Sequence, residues 1–340
     1  MIRVGLAGYG LAGAVFHSPL IRVCKRMQLT AVLTSREVPE RVGTLDELLD
    51  QSDLVVVATP NTTHCEIAAA ALNAGKHVVV DKPFTVTVDE ADALIALAKA
   101  RGRVLTIFHN RRWDGDFLAV QRLLPRLGDV MLFEAHWDRF RPGLKKGWRE
   151  EPRPGGGVLS DLGPHLIDQA LLLFGMPDAI SADLLAQRAG AEVDDYFDIA
   201  FHYGTARVCL RSSTLVTEPR PRFALHGTGG SFLKYGLDPQ EEQLRSGMDP
   251  RSPEFGLDTR AGSLTVAAGS REDIATEPGR YIGFYEAVAD AILEGAPVPV
   301  DPADARAGLV LIDLARRAAE QGRRLPVPAA SWTATSDPAG

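Results

Sequence analysis

Near its N-terminus the chain reads Ile2-Arg3-Val4-Gly5-Leu6-Ala7-Gly8-Tyr9-Gly10-Leu11-Ala12-Gly13. An apolar run ends there at a G-x-G-x-x-G pattern, and a helix is predicted to follow. Gly8 permits a tight turn, Gly10 lets a pyrophosphate approach the backbone, and Gly13 lets helix and strand pack closely. Leu11 and Ala12 lie where the free N–H groups of the helix would bind phosphates. The stretch predicts dinucleotide binding, although glycines that serve only a tight turn would give the same pattern.

Apolar runs alternate with helix-forming segments along the first third of the chain. Strands are predicted at residues 2–7, 29–34, 54–58, 78–80 and 104–108. Two of the helices between them begin with capping boxes, at Thr44 and Thr87. Such alternation is typical of a parallel sheet covered on both faces. The fold class is therefore α/β, with a doubly wound Rossmann domain at residues 1–120.

The pattern changes after residue 120 to longer alternating segments. These segments lie at residues 130–140, 180–187, 196–202, 206–214 and 222–226, and helices are predicted at 162–174, 281–294 and 302–321. Long alternating strands with few helices favour a large, mostly antiparallel open sheet. We predict an α+β domain for substrate binding and oligomerisation at residues 121–325. Residues 326–340, which contain Pro, Ser and Gly, are expected to form a flexible tail.

Composition narrows the functional classes. The 340 residues include 37 Lys plus Arg against 44 Asp plus Glu, a net charge of −7 that gives no electrostatic support for nucleic-acid binding. No stretch approaches the roughly 20 apolar residues of a membrane span. Cys24, Cys65 and Cys209 are too few and too far apart for a disulfide framework or a metal knuckle, so no metal is expected. We expect a cytoplasmic protein, since the N-terminal segment lacks the pattern of a signal peptide.

The end of the second predicted strand bears on cofactor choice. A carboxylate at this point favours NAD, because it accepts hydrogen bonds from the ribose and repels a 2′-phosphate. Ser35 and Arg36 stand there instead, and both can bind a phosphate. NADP is therefore predicted, with NAD as the alternative. Glu37 is adjacent, and Arg36 as a solvated loop charge is the competing interpretation.

A second informative segment is Asp81-Lys82-Pro83, which follows the strand at residues 78–80. The carboxyl edge of a parallel sheet is where α/β proteins bind ligands, so Lys82 could contact the nicotinamide side of a pocket. The Lys82-Pro83 bond could be cis, since only X–Pro bonds adopt that form at low cost. An exposed turn is the alternative interpretation.

The third segment runs from Gly155-Gly156-Gly157 to Asp168. Asp161 and His165 are four residues apart, so they share one face if a helix begins here, with Asp168 on the same side. A zinc site would need a further ligand that no companion motif offers. The glycines could let the backbone approach a flat cofactor ring. A His–Asp pair that only caps a helix remains the alternative.

Together these motifs resemble the Gfo/Idh/MocA family of nicotinamide-dependent sugar and polyol dehydrogenases. The chain carries G-x-G-x-x-G, then [DE]-K-P, then G-G-x-x-x-D-x-G-x-H, in that order, and the resemblance covers residues 1–322. The phrases at residues 81–85, 108–114 and 234–239 resemble the branch with NADP-dependent scyllo-inositol dehydrogenases.

The resemblance implies a role for each matching residue. His165 would be the general base that takes the hydroxyl proton, and Lys82 would hydrogen-bond the substrate oxygen. Asp161 would orient the substrate or the histidine. Asp81 stands where Glu is commoner in the family, which preserves a carboxylate at shorter reach.

Further site residues follow from the resemblance. Cofactor contacts would come from residues after the strands at 54–58, 78–80 and 104–108, namely Thr59, Pro60, Asn61, His64, Asp81, Lys82, Pro83, Asn110, Arg112 and Trp113. Substrate contacts would come from Lys82, Asp161, His165 and Tyr235, and His17 is a further candidate. Asp138, Arg139, Arg141 and Trp148 are candidate partners for substrate hydroxyl groups.

The leading hypothesis is a dehydrogenase that acts on a CH–OH group of a cyclic polyol or sugar, with scyllo-inositol as the first candidate. A catalytically silent nicotinamide-binding regulator, or a reductase of a non-sugar carbonyl, is the alternative. The presence of Lys82, Asp161 and His165 favours the enzyme. A homodimer or homotetramer formed through the C-terminal sheet is expected, because an open sheet needs a cover for its apolar face.

Overall fold

The computed structural model describes residues 1–145 and 147–328, without the side chain of Trp148. These residues form two compact units. Unit 1 comprises Met1–Asp114, Pro239–Gly256 and Pro278–Arg306. Unit 2 comprises Gly115–Asp238, Leu257–Glu277 and the described residues from Ala307 onward. Two segments from late in the sequence thus belong to unit 1. Most of the predicted tail, residues 329–340, lies outside the described residues.

The regular elements are numbered in chain order. The strands are β1 Ile2–Ala7, β2 Met27–Leu33, β3 Arg41–Val42, β4 Leu54–Val57, β5 His77–Asp81, β6 Leu105–Phe108, β7 Val130–His136, β8 Ala179–Leu185, β9 Tyr196–Tyr203, β10 Ala206–Ser213, β11 Phe223–Gly227, β12 Gly230–Lys234, β13 Gly262–Val266, β14 Arg271–Ile274 and β15 Leu325–Pro326. The α-helices are α1 Ser18–Val23, α2 Leu45–Asp50, α3 His64–Asn73, α4 Val88–Arg101, α5 Gly115–Leu123, α6 Val158–Phe174, α7 Gln240–Arg245, α8 Ile282–Glu294 and α9 Pro302–Gln321.

Unit 1 is built on a six-stranded sheet with the order β3-β2-β1-β4-β5-β6. All neighbouring strands run parallel. The predicted doubly wound parallel sheet is confirmed. From β1 the chain adds β2 and β3 on one side, and it then returns to add β4, β5 and β6 on the other side. The point between β1 and β4 is therefore a topological switch point, which is where ligands bind in open α/β sheets.

Local sequence signals set the helix boundaries of unit 1. The side chains of Thr44 and Thr87 accept the N–H groups of Glu47 and Glu90, and both capping boxes are complete. Helix α4 ends at Gly102, which adopts a left-handed φ of +59°. The segment after the glycine loop differs from a simple α-helix, because Ala12–His17 forms π-helical turns before α1 begins.

Unit 2 contains a nine-stranded sheet with the order β14-β13-β12-β11-β7-β10-β9-β8-β15. Neighbouring strands are antiparallel except β7 and β10, which run parallel. One face of the sheet packs its aromatic and aliphatic residues, among them Phe133, Ile199 and Phe223, into a core shared with Leu166 of α6 and Leu311 of α9. The predicted, mostly antiparallel α+β architecture is confirmed.

Some elements were missed or misplaced by pattern. The strand predicted at residues 130–140 ends at His136, and α6 begins at Val158 rather than at residue 162. Strands β12 to β14 and helices α5 and α7 were not predicted, because short elements give little periodicity. Among the described residues, no helix is long and apolar enough to cross a bilayer.

Candidate functional site

The glycine loop after β1 has three sterically different positions. Gly8 has φ +97°, and a Cβ atom there would lie 2.6 Å from the carbonyl oxygen of Ala58. A Cβ atom on Gly13 would overlap the carbonyl oxygen of Gly8. At Gly10 a Cβ atom would meet no atom within 4 Å. The first and third glycines are therefore required by the fold, whereas the second leaves open space in front of the backbone.

This geometry fits a dinucleotide. The loop lies at the β1–β4 switch point, and the backbone at Gly10 is bare where a pyrophosphate would approach. Leu11 is exposed and Ala12 half-buried at the start of the helical segment.

The loop after β2 presents Ser35 and Arg36 to solvent. The backbone N–H of Arg36 donates to the Thr34 hydroxyl over 3.1 Å. The neighbouring acidic side chains are engaged elsewhere: Glu37 pairs with Arg41 at 2.6 Å and Glu40 with Arg22 at 2.7 Å. No carboxylate of this loop neutralises the Arg36 guanidinium.

Lys82 lies in the turn that follows β5, and the Lys82-Pro83 peptide bond is cis. The Lys82 N–H donates to Asp81 Oδ1 over 2.9 Å. The fully buried His17 lies behind this turn, with Nε2 3.8 Å from Asp81 Oδ1 and Nδ1 2.6 Å from the Tyr285 hydroxyl. Burial opposes ionisation of Asp81, but the nearby His17 and the Lys82 charge hold its pKa below the ordinary value. His17 therefore packs behind the turn.

His64 connects the two loops at this sheet edge. Its Nδ1 lies 3.0 Å from the carbonyl oxygen of Pro83, and its Nε2 lies 3.0 Å from that of Thr59. The side chain is 1% exposed. Pro60 is exposed and Asn61 is buried where a short 3-10 helix begins. His64 thus sets the spacing of the two loops.

The residues after β6 are held by partners within unit 1. Asn110 is buried. Arg112 pairs with Asp304 at 3.0 Å. Trp113 packs over Gly283 and meets the Phe284 ring edge-on at 5.6 Å between centroids. Trp113 is therefore in good part a packing residue.

Helix α6 carries the second predicted catalytic segment. Asp161 and His165 share one face of it, as their spacing predicted. The start of the helix is fixed by Asp194, whose carboxylate accepts the Leu159 N–H over 2.6 Å and whose carbonyl accepts the Val158 N–H over 2.8 Å. Burial raises the pKa of Asp194, and the Leu159 N–H opposes that rise. A Cβ atom on Gly157 would overlap the Asp194 carboxylate, so this glycine makes room for the cap.

Asp161 lies among basic side chains. Arg139 Nη1 is 3.7 Å and Arg149 Nε 3.5 Å from its carboxylate. His165 is buried to 6% exposure and stacks on Trp137, with centroids 5.7 Å apart. The helix face therefore presents a carboxylate and an imidazole, and two guanidinium groups from outside the helix lie beside the carboxylate. Such a set can bind hydroxyl groups and accept a proton.

Other predicted substrate residues have different surroundings. Tyr235 is 50% exposed, and its carbonyl oxygen accepts a hydrogen bond from the buried Lys234 over 3.0 Å. Asp138 forms a bidentate pair with Arg220 at 2.7 and 2.8 Å. Arg141 is exposed, and the Trp148 side chain lies outside what the structure describes. Among the described residues, no group of three or more His, Cys, Asp or Glu side chains is arranged to hold a metal ion.

Comparisons with known proteins place this geometry in a family. Residues 2–109 match the model for the oxidoreductase family, NAD-binding Rossmann fold, and residues 123–328 match that for its C-terminal alpha/beta domain. Both models carry the Gfo/Idh/MocA designation.

The chain belongs to the Gfo/Idh/MocA oxidoreductase family.

Several relatives align with the chain over nearly their whole length. The uncharacterized oxidoreductase YdgJ of Escherichia coli is 45% identical over 92% of this chain and 95% of that protein. The scyllo-inositol 2-dehydrogenase (NADP(+)) IolW of Bacillus subtilis is 38% identical over 95% of each. The solved structure of the Yersinia pestis protein YPO2259 superposes with a TM-score of 0.93 and 41% identity over 96% of this chain and 97% of that one.

In this Gfo/Idh/MocA protein the predicted site residues divide between the units. The glycine loop, Ser35, Arg36 and Lys82 belong to unit 1, whereas Asp161, His165 and Tyr235 belong to unit 2.

Sequence reasoning missed Asp194 and Arg149. Asp194 lies 35 residues from its partner Leu159, and no local pattern marks such a cap. Arg149 could have been found from the basic run at residues 139–153.

Proposed function

We propose that the protein is an NADP-preferring dehydrogenase that interconverts a secondary alcohol of a cyclic polyol or sugar with its ketone, with scyllo-inositol as the first candidate. The observation that carries this is the face of α6, which presents Asp161 and the stacked, buried His165 together. The similarity to IolW, named as an NADP-dependent scyllo-inositol dehydrogenase, supports the substrate class.

The chain's own residues would manage the proton. An imidazole nitrogen of His165 takes the hydroxyl proton while the C–H bond of the same carbon breaks, and the proton then passes to solvent. Lys82 Nζ donates a hydrogen bond to the substrate oxygen and stabilises its developing negative charge. Asp161 accepts a hydrogen bond from a substrate hydroxyl or orients the imidazole.

The glycine loop and the ends of β4, β5 and β6 would hold the dinucleotide. Gly10 exposes the backbone to the pyrophosphate, and the loop residues Thr59, Pro60 and Asn61 would lie along the cofactor. When bound, NADP supplies a nicotinamide ring that accepts the hydride or, in the reverse direction, gives it up.

The preference for NADP rests on Arg36. Glu37 and Glu40 are paired with other arginines, which leaves the Arg36 guanidinium available to a 2′-phosphate. A charged hydrogen bond is worth about 1.5–3 kcal/mol, so Arg36→Ala should lower kcat/KM for NADP about 10- to 100-fold. kcat/KM for NAD should hardly change. Arg101→Ala, at an exposed arginine bonded to Asn73, is the control. Equal losses with both cofactors would contradict the role of Arg36.

The decisive experiment measures initial rates of nicotinamide reduction with scyllo-inositol, myo-inositol and a panel of aldoses, using NADP and NAD in parallel. Lys82→Met and His165→Ala serve as variants. We expect turnover of at least one polyol or sugar with NADP, and its loss in both variants while cofactor binding persists. If nothing in the panel reacts although NADP binds, the polyol assignment fails, and a regulator or a reductase of a non-sugar carbonyl becomes the better hypothesis.

We also propose a homodimer or homotetramer formed through the nine-stranded sheet. The register places Leu132, Ala200 and Leu233 on the face opposite the core, where each is only partly buried. Light scattering after gel filtration should give a mass of two or four chains, and a mass of one chain would contradict the assembly.

A further inference from the structure

The imidazole of His165 is held against an aromatic ring. The Trp137 indole stacks on it with an interplanar angle of 29°, and both side chains are buried. The backbone of Trp137 is fixed on both sides, since its N–H donates to the Arg211 carbonyl over 3.0 Å and its carbonyl accepts the Ser212 hydroxyl over 2.6 Å. The indole is therefore a rigid wall for one face of the imidazole.

A buried guanidinium lies close to the same indole. Arg222 is 2% exposed, and its Cζ lies 5.1 Å from the Trp137 ring centroid, within cation–π range. Its Nη2 donates to Gln169 Oε1 over 2.7 Å, and its Nε lies 3.9 Å from the Asp116 carboxylate. Gln169 and Asp116 are fully buried as well.

Through Gln169, Arg222 is also bonded to the helix that carries His165. Gln169 follows His165 by four residues, so both lie on one face of α6. Arg222 thus contacts the ring on which His165 stacks and also the helix turn after His165. Burying a charge is costly, and an apolar side chain of similar length would fill this space at lower cost. The Asp116 carboxylate and the Gln169 side-chain oxygen offset that cost and hold the guanidinium beside the indole.

We propose that Trp137 and Arg222 are positioning residues for His165, holding its imidazole in one orientation on α6 for proton transfer. This inference rests on the proposed function, in which His165 is the general base. Neither residue needs to touch substrate. Misplacing a reacting group by about 1 Å can cost on the order of 100-fold in rate, so the expected effect is on kcat.

The kinetic test uses paired variants in and beside β7. Trp137→Leu removes the aromatic wall, Trp137→Phe retains a ring, and Phe133→Leu deletes a buried core aromatic of the same strand. With the best substrate of the panel, Trp137→Leu should lower kcat about 10- to 100-fold with little change in KM. The deuterium isotope effect at the reacting carbon should rise, since chemistry becomes slower. Trp137→Phe should restore most of the rate, and Phe133→Leu should leave kcat near the wild-type value.

Arg222 is tested in the same way. Arg222→Lys keeps a charge that can reach Gln169, whereas Arg222→Met keeps only the bulk. We expect kcat to fall in Arg222→Met and to recover in part in Arg222→Lys. If Arg222→Met does not fold, Arg222→Lys alone tests this residue: its kcat should lie below the wild-type value, and an unchanged kcat would exclude Arg222 from the positioning role.

A second measurement does not depend on turnover. Modification of each histidine by diethyl pyrocarbonate is followed by peptide mass spectrometry, with the half-buried His226 as internal reference. His165 should react several-fold faster in Trp137→Leu than in the wild type or in Phe133→Leu, because an imidazole without its wall samples more orientations.

The outcomes separate the two proposals. If Trp137→Leu matches Phe133→Leu in both kcat and modification rate, the positioning role is wrong, even if the enzyme is a dehydrogenase. If His165→Ala remains active, or no polyol reacts, the proposed function fails. In that case the modification rates still show whether Trp137 orders His165.

Discussion

Each unit has a helix that begins after a glycine-rich segment, and the glycines make room for different atoms in the two segments. At residues 8–13 the absent side chains let backbone approach backbone, since Gly13 adjoins the Gly8 carbonyl and Gly8 adjoins Ala58. At Gly157 the absent side chain instead lets a distant side chain approach, since this position faces the Asp194 carboxylate. In the first arrangement the backbone itself would bind the proposed cofactor. In the second, the helix would present the side chains of the proposed catalytic site.

The difference implies that the loop in unit 1 should tolerate less change. A carbonyl oxygen in a packed turn can hardly move, whereas a carboxylate can rotate away from an added methyl group. Three glycine substitutions test this comparison, from the largest expected effect to the smallest, and a fourth substitution compares one histidine from each unit.

Gly13→Ala should be the most damaging, because the new Cβ atom would overlap the Gly8 carbonyl oxygen. We expect a loss of about 3 kcal/mol or more in the free energy of unfolding, the upper range for overpacking. Urea unfolding measures it, with Gly43→Ala as control, since its Cβ atom would meet only Glu47, at 3.6 Å. A loss no larger than that of the control would show that the turn can relax.

Gly157→Ala should cost about 2 kcal/mol, from its φ of +87° and the clash with Asp194. Gly143→Ala is the control, as nothing lies within 4 Å of its Cβ position. In a double-mutant cycle with Asp194→Ala the two losses should be less than additive, because removing the carboxylate also removes the clash. Strict additivity would mean that Gly157 serves backbone conformation alone.

Gly10→Ala should leave the free energy of unfolding within about 0.5 kcal/mol of the wild type, because its Cβ atom would enter open space. The Kd for NADP should nevertheless rise about tenfold, equal to about 1.4 kcal/mol, since the methyl group occupies the approach to the backbone. The Kd for NADPH should rise by the same factor, and fluorescence titration with NADPH measures it. An unchanged Kd would show that the pyrophosphate does not bind next to Gly10.

The smallest expected effect is a loss of stability at acidic pH that comes from the half-buried His77. Nδ1 of His77 accepts the Val104 N–H over 3.0 Å, which needs an unprotonated nitrogen. Burial, with help from the Arg103 charge, lowers the pKa of His77 below its ordinary 6.5. The unfolded chain therefore binds the proton more readily, so stability should fall as pH drops through about 6.5.

His77→Gln should flatten this dependence by about 1 kcal/mol or less between pH 8 and 5.5. Urea midpoints across that range measure it, and an unchanged slope would exclude His77 as the source. In unit 2, Nδ1 of His136 faces the Pro221 carbonyl instead. Burial lowers the pKa of His136 as well, although this carbonyl opposes the shift.

The sequence predicted what depends on near neighbours along the chain. The roles of Gly8, Gly10 and Gly13 and the capping box at Thr44 each involve a few consecutive residues, so a pattern reveals them. The shared face of Asp161 and His165 follows from helical spacing in the same way.

Contacts between distant segments escaped prediction. Asp194 at the start of α6, Tyr285 behind His17 and Lys234 beneath the Tyr235 loop all depend on tertiary packing. A polar residue in isolation gives no sign of the partner that it will meet. The close packing of Gly156 against the Glu151 carbonyl and of Gly157 against the Asp194 carboxylate was likewise not predicted.

Unit 1 is built from three segments that are far apart in the chain, and this has a consequence for its synthesis. The Trp113 carbonyl accepts the Gln240 amide, and the Thr106 hydroxyl donates to the Val300 carbonyl. A ribosome adding about 5–20 residues per second would finish the first segment of unit 1 roughly 10 to 40 s before the last one. During that interval the nascent sheet lacks its partners, and the aromatic residues that later pack against Phe284 and Tyr285 are uncovered. The N-terminal segment of unit 1 therefore leaves the ribosome well before the segments that complete its packing.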